Sequence, residues 1–507
     1  MTDENELAHQ LFNKERSVKG GEKSMNEVEK KVSLKVALLT ILVLITVLSI
    51  GNGILKLPTD IVFIVATIAI SIVLLTQGFK GKELQEYFVD GCKKSLLVVL
   101  ILMSVGMVIG SWIVSGIVPS IIFYGLKLLS PTVFLVSGFL ILCVTSFFIG
   151  SAYASAGTLG VAFMGIGYGM GIPPALTAGM VVSGAIFGNK ISPFADTTNL
   201  AVAVTGVELT SHIRSMLYSV LPILVISTIL YGIQGMKFSH NSLDVTKIEL
   251  ITDTLSKHFV ISPFLLLVPV LTILLAAKKV PPLIALLISA LGGVVAAALI
   301  QTNYDINTIF TALSKGFQIQ TGVEQVDNLL NRGGIANMMP TVTLSILILG
   351  FGEILQRTGI VSAILGSIKN AIKSARSLVL TTLFSGLVTD MLTASQYMSI
   401  ILPGQMFKSA YKKHNVSLTV LSRTLEDGGT MFSYLVPWSL TAIYLSGVLG
   451  VSTLDFFPYA YQAVLTPILA IIYALTGFAI FKEKGNVNED KEHPEEKTFM
   501  QKKISND

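Results

Sequence analysis

Cysteine, tryptophan and charge are all scarce in this chain of 507 residues, which has two cysteines, two tryptophans and only 13% Asp, Glu, Lys and Arg. Cys92 and Cys143 lie far apart in or beside apolar segments, which excludes a disulfide framework and a thiolate metal cluster; both read as packing residues. So little charge excludes an ordinary soluble domain. The net charge of +5 sits mostly in tails and loops, and no basic stripe with interleaved aromatics offers itself to a nucleic acid. HExxH, GxSxG and P-loop patterns are missing, which argues against an enzyme. The first 33 residues carry both signs and no apolar h-region, so they read as a tail and not as a cleavable signal.

What the chain does have is apolar length. Hydrophobic residues make up 52% of it and the mean hydropathy is +0.72, the composition of a multi-pass protein whose solvent is the lipid bilayer. A span needs roughly 20 apolar residues, and ten candidates run over 34–57, 59–77, 95–118, 175–206, 214–236, 260–277, 282–300, 336–356, 417–445 and 460–481. Two more apolar stretches, 131–170 and 377–410, are interrupted by small and polar residues and read as re-entrant hairpins with polar tips. His212 and Arg214 fall in an expected inner loop and carry no chemistry.

The two tips repeat one another: Ser151, Tyr153, Ser155, Gly160 and Phe163 recur in register as Ser395, Tyr397, Ser399, Gly404 and Phe407. With five crossings and one hairpin per half, the second half enters from the opposite face, the inverted-repeat plan of many secondary transporters. Lys and Arg support this, because the expected inner loops hold about twice as many as the outer ones. The expected fold is therefore an all-α polytopic membrane protein of two inverted repeats with broken helices at the midplane. Its parts are a cytoplasmic tail at 1–33, a first repeat at 34–236, an extracellular linker at 237–259, a second repeat at 260–481 and a cytoplasmic tail at 482–507. The cell membrane is the expected location.

Between 183 and 201 the chain reads SGAIFGNKISPFADTTNLA, a helix built to break inside a membrane. Backbone leaves the helical ladder at that depth only where it lines a cavity or is buried in protein, and an ionisable group there is a functional candidate. Asp196, Thr197, Thr198 and Asn199, with Asn189 and Ser192 beside them, offer hard oxygen ligands for a small cation such as sodium. Gly188 and Pro193 are expected to free carbonyls by interrupting the ladder. The plainer reading makes Asp196 the cap of a short helix starting at Thr197.

The matching stretch of the second half holds Glu426 and Asp427 beside two glycines, followed by Ser433. One of the two acids is expected to pair with Arg423 at the helix mouth. Asp390, matched by Ser146 in the first half, either binds the ion or proton or hydrogen-bonds a neighbouring helix. Ser151, Ser155 and Thr158 at one tip, and Ser395, Gln396 and Ser399 at the other, are further candidate ligands, although Ser and Gly also promote helix packing. Of the two halves, the first is expected to lie nearer the ion.

The string from Gly188 to Ala201 resembles the signature of the NhaC family of sodium/proton antiporters. Ser151 to Phe163, Leu425 to Thr430 and Val436-Pro437-Trp438 look like further blocks of that family, and the resemblance covers roughly 34–481. Two positions depart from the pattern: a proline is expected after Ser433 and an asparagine after Trp438, where this chain has Tyr434 and Ser439. The resemblance implies a secondary transporter of the ion transporter superfamily, with sodium and protons as partners and sodium as cargo, no other cofactor, and a homodimer among the assemblies to expect. Because the family also includes malate/lactate antiporters, it leaves room for an organic anion, held by the tips with Lys190 or Arg423 as counter-charge.

Overall fold

The computed structural model describes residues 32–238, 245–278 and 280–482. Nearly all of the two tails therefore lies outside the described residues. Among the described residues the regular structure is helical, with one isolated bridge between Val416 and Lys482. Eight described helices are long and apolar enough to cross a bilayer, or up to ten if two pairs bent by 91° and 89° each count as one span. Their outward faces carry leucine and isoleucine in the open, with Leu42, Ile72, Leu291 and Leu299 all more than half exposed. In water such a belt would be a liability; against lipid tails it costs nothing.

Several expected spans take a different form. Pro131–Ile149 and Ala375–Thr393, read from sequence as hairpin limbs, are each 19 residues long and apolar enough to cross by themselves. The expected crossings at 175–206 and 417–445 are each divided, the first into Pro174–Ile191 and Asp196–Thr205, the second into Leu418–Leu425, a π turn at Glu426–Thr430, Met431–Ser433 and Leu440–Leu449. His212 and Arg214 lie in the helix Leu209–Lys237, not in a loop; His212 is buried, with Nδ1 2.9 Å from Ser422 Oγ. A histidine beside an apolar run reads as a boundary when only its polarity is visible.

Left-handed residues end helices at Gly116 and Gly359, at Gly150 and Ala394, and at Gly206 and Gly450.

Gly188 does not break its helix, which runs on to Ile191 and opens only at 192–195. Its role is packing. A Cβ there would run into Phe147 N and Cys143 O, so Pro131–Ile149 and Pro174–Ile191 lie backbone against backbone, the close approach that small residues permit between membrane helices. Gly188→Ala is accordingly expected to destabilise the fold by about 1–3 kcal/mol, read as a lower melting temperature in detergent.

Candidate ion-binding site

The first break is braced by its own polar side chains. Ser192 Oγ donates to Phe147 O at 2.7 Å and accepts from Phe194 N at 3.2 Å. Asn199 Nδ2 donates to Pro193 O at 3.1 Å and Ala195 O at 2.7 Å, and Thr198 Oγ1 reaches Lys190 O at 3.4 Å. Three residues proposed from sequence as ligands thus hold backbone that the break leaves without helical partners. The helix resumes at Asp196 itself with Ala195 in the cap position, so Asp196 does not cap a helix beginning at Thr197. One oxygen of Asp196 accepts from Thr197 N at 2.9 Å and the other from the Tyr397 hydroxyl. Asn189 is buried, and its Oδ1 has no hydrogen-bond partner.

Both tips have one construction. A left-handed residue, Gly150 or Ala394, is followed by a serine whose hydroxyl caps the next helix: Ser151 accepts from Ala154 N at 3.3 Å and Ser395 from Met398 N at 3.4 Å. Ser155, Thr158 and Ser399 donate to the carbonyls of Ser151, Ala154 and Gln396. Each hydroxyl keeps lone pairs for a ligand. Tyr153 joins the halves, its hydroxyl 2.8 Å from Thr441 Oγ1 and accepting from Gln396 Nε2 at 3.2 Å. Each tip is also tied to the break of its own half, the first through Ser192 and the second through Trp438 Nε1 to Met391 O (2.9 Å) and Leu440 N to Ala394 O (3.0 Å).

At Gly150, φ is +69° and a Cβ would stand 2.8 Å from Phe194. Gly150→Ala therefore combines left-handed strain of about 1–2 kcal/mol with a clash. We expect a lower melting temperature for this variant than for Ala394→Gly, which relieves a non-glycine residue held at φ +53°.

A cavity of about 780 Å³ meets these parts. Asp196, Asn199, Ser151, Tyr153, Ser395 and Tyr397 line it, and toward one side Lys94 and Glu353 add an ion pair 2.5 Å long.

The second break lies deeper. Asp427 and Lys190 pair at 2.5 Å with both side chains at most 2% exposed, and Asp427 also accepts from Ser219 Oγ at 2.9 Å. Arg423 stands 3.8 Å from Asp427 and donates to Ala479 O at 2.8 Å. The expected Arg423 pairing is therefore present, but inside the protein and second to Lys190. Asp390 accepts from Ser433 Oγ at 2.6 Å, and its other oxygen has no hydrogen-bond partner. Glu426 is fully buried and neither of its oxygens has one.

A sequence profile described as the Na+/H+ antiporter family matches residues 184–478, which takes in both breaks and the tip at Ser395. The chain belongs to that family. A second profile, the C4-dicarboxylate anaerobic carrier, matches residues 3–236. Among antiporter relatives, the Na+/H+ antiporter NhaC of Alkalihalophilus pseudofirmus is 36% identical over 91% of this chain and 99% of its own length. The malate-2H+/Na+-lactate antiporter of Bacillus subtilis is 37% identical, over 85% of this chain and 92% of its own. The arginine/ornithine antiporter ArcD of Halobacterium salinarum is 35% identical, over 92% and 96%.

In this member of the family the residues that sequence reasoning overlooked are partners of the acids. Ser219 on a long apolar helix gave no local signal; Tyr397 stood among the repeating tip residues and Thr430 in the stretch around the two acids, but nothing local told which acid either approaches. Lys190 and Asp427 are 237 positions apart, and no spacing rule reaches so far. The π turn itself had one cue, the pair Gly428-Gly429 beside two acids.

Proposed function

We propose that this chain exchanges sodium for protons across the cell membrane by alternating access, with Asp196 binding one or the other in turn. The observation that carries this reading is the meeting of Asp196, both serine-capped tips and the first break around a single cavity. A carboxylate serves exchange because deprotonation creates the ion's ligand and ion binding disfavours the proton. The recurrent helix stops support two halves of like build, and the inverted plan would let the cavity face each side of the membrane in turn. In this arrangement both termini are cytoplasmic and sodium is cargo. The test is sodium-dependent proton movement in proteoliposomes, followed with a pH-sensitive dye. Movement on sodium addition, absent with choline, is the expected result; its absence with active, reconstituted protein would refute the exchange.

A malate/lactate type of exchange is the second reading, favoured by a cavity larger than an ion needs and by the relative named for that activity. Against it, both cations expected to hold a carboxylate, Lys190 and Arg423, are engaged with Asp427. Radiolabelled malate and lactate uptake, with and without a sodium gradient, separates the two readings.

A further inference from the structure

We infer that Glu426, with the hydroxyls of Thr197 and Thr430, forms the buried site that holds the transported cation of sodium's class without its water, behind Asp196. The inference rests on the exchange reading above. It moves the centre of the ion site from the first half to the junction of the two.

Three placements carry it. Glu426 opens the π turn Glu426–Thr430, and such turns recur at functional sites because they push backbone and side chains out of helical register. The turn is seated deeply: a Cβ on Gly428 would lie 2.8 Å from Leu383 O and one on Gly429 2.7 Å from Ser399 O, so Ala375–Thr393 and Gln396–Lys413 both pack against its backbone. Thr197, in the first turn after the first break, and Thr430, which closes the π turn, stand beside the Glu426 carboxylate. All three side chains are at most 1% exposed, and both Glu426 oxygens and both threonine hydroxyl oxygens are without hydrogen-bond partners.

Unpartnered oxygen in such density is costly in a dry interior and calls for a ligand that satisfies several oxygens at once. A carboxylate and two hydroxyls are the hard donors that suit a small cation, to which the turn's backbone carbonyls can add. The surrounding charges leave Glu426 without an ion pair. Lys190, from Pro174–Ile191, is bonded to Asp427, and its charge still reaches Glu426, where it opposes the pull of Asp196 on a cation. Arg423, from Leu418–Leu425, is turned to Asp427 and Ala479 O. Asp390, from Ala375–Thr393, is bonded to Ser433, and Asp196 adds a second negative charge that draws a cation inward. Thr197 links the two acids, its N–H on Asp196 and its side chain beside Glu426.

The test is equilibrium binding of radioactive sodium to the purified full-length chain in detergent, with choline holding ionic strength constant. Glu426→Gln keeps size and removes charge, and sodium affinity is expected to fall by about 100-fold or more. Thr197→Val and Thr430→Val, each deleting one oxygen at constant shape, are expected to weaken it by roughly tenfold apiece. Elution and melting profiles of all three variants check folding, and the threonine variants decide the matter if Glu426→Gln does not fold. Wild-type affinity in folded Glu426→Gln, or in both threonine variants, overturns the site. If that happens while wild-type proteoliposomes still exchange sodium for protons, the exchange reading stands and only this site falls. If the wild-type chain neither binds sodium nor exchanges it, both fall together.

Discussion

Lys190→Met is expected to destabilise the folded chain by about 3–5 kcal/mol, because it leaves the Asp427 carboxylate buried without its closest counter-charge. The two groups are 2.5 Å apart and almost wholly shielded, so neither water nor salt can replace the missing partner. Ser219 still donates and Arg423 stands 3.8 Å away, which limits the loss without cancelling it. The double variant Lys190→Met with Asp427→Leu removes both charges, and replacing a buried pair by apolar groups is often neutral or stabilising. The expected order of melting temperatures in detergent is therefore wild type and double variant together, with Lys190→Met well below. A single variant that melts with the wild type would mean that the pair does not hold the two halves together.

Asp196→Asn is expected to reduce sodium-dependent proton flux in proteoliposomes by on the order of 100-fold, the equivalent of losing about 2.7 kcal/mol of ion interaction. The amide keeps the size of the side chain and can still accept from Thr197 N, so folding should be spared. What it cannot do is alternate between a proton and a cation. Asp196→Glu keeps the charge and should retain part of the flux. Exchange at the wild-type rate in Asp196→Asn would remove Asp196 from the mechanism and leave the buried acids to carry it.

The contrast between these two acids shows what could be read from the chain alone. Asp196 stood out because a charge after a proline in apolar sequence is expensive, and that local anomaly does lie at a cavity. The serine-capped tips stood out because their spacing repeats. Both are signals of composition and register, which sequence displays directly. Gly188 was misjudged because glycine serves both to break a helix and to let helices touch, and only the neighbour at Phe147 decides between them. The Lys190–Asp427 pair and the placing of Thr197 beside Glu426 depend on how distant segments cross, which no periodicity encodes. Glu426 and Asp427 illustrate the limit: adjacent in sequence and equally acidic, they differ only in what the fold brings to each.

The bonds that tie each tip to its own break have a mechanical consequence. Ser192 fastens the first tip, and Trp438 and Leu440 fasten the second, so a shear within either half would tear hydrogen bonds that the bilayer cannot replace. Contacts between 34–236 and 260–481 are of two kinds: backbone is seated on backbone at Gly106 and Gly334, while around the cavity side-chain ends meet, Tyr397 on Asp196, Gln396 on Tyr153 and Tyr153 on Thr441. Contacts of the second kind can be exchanged one for another. Rearrangement around the cavity is thus cheapest where side-chain ends meet, and Asp196 lies there.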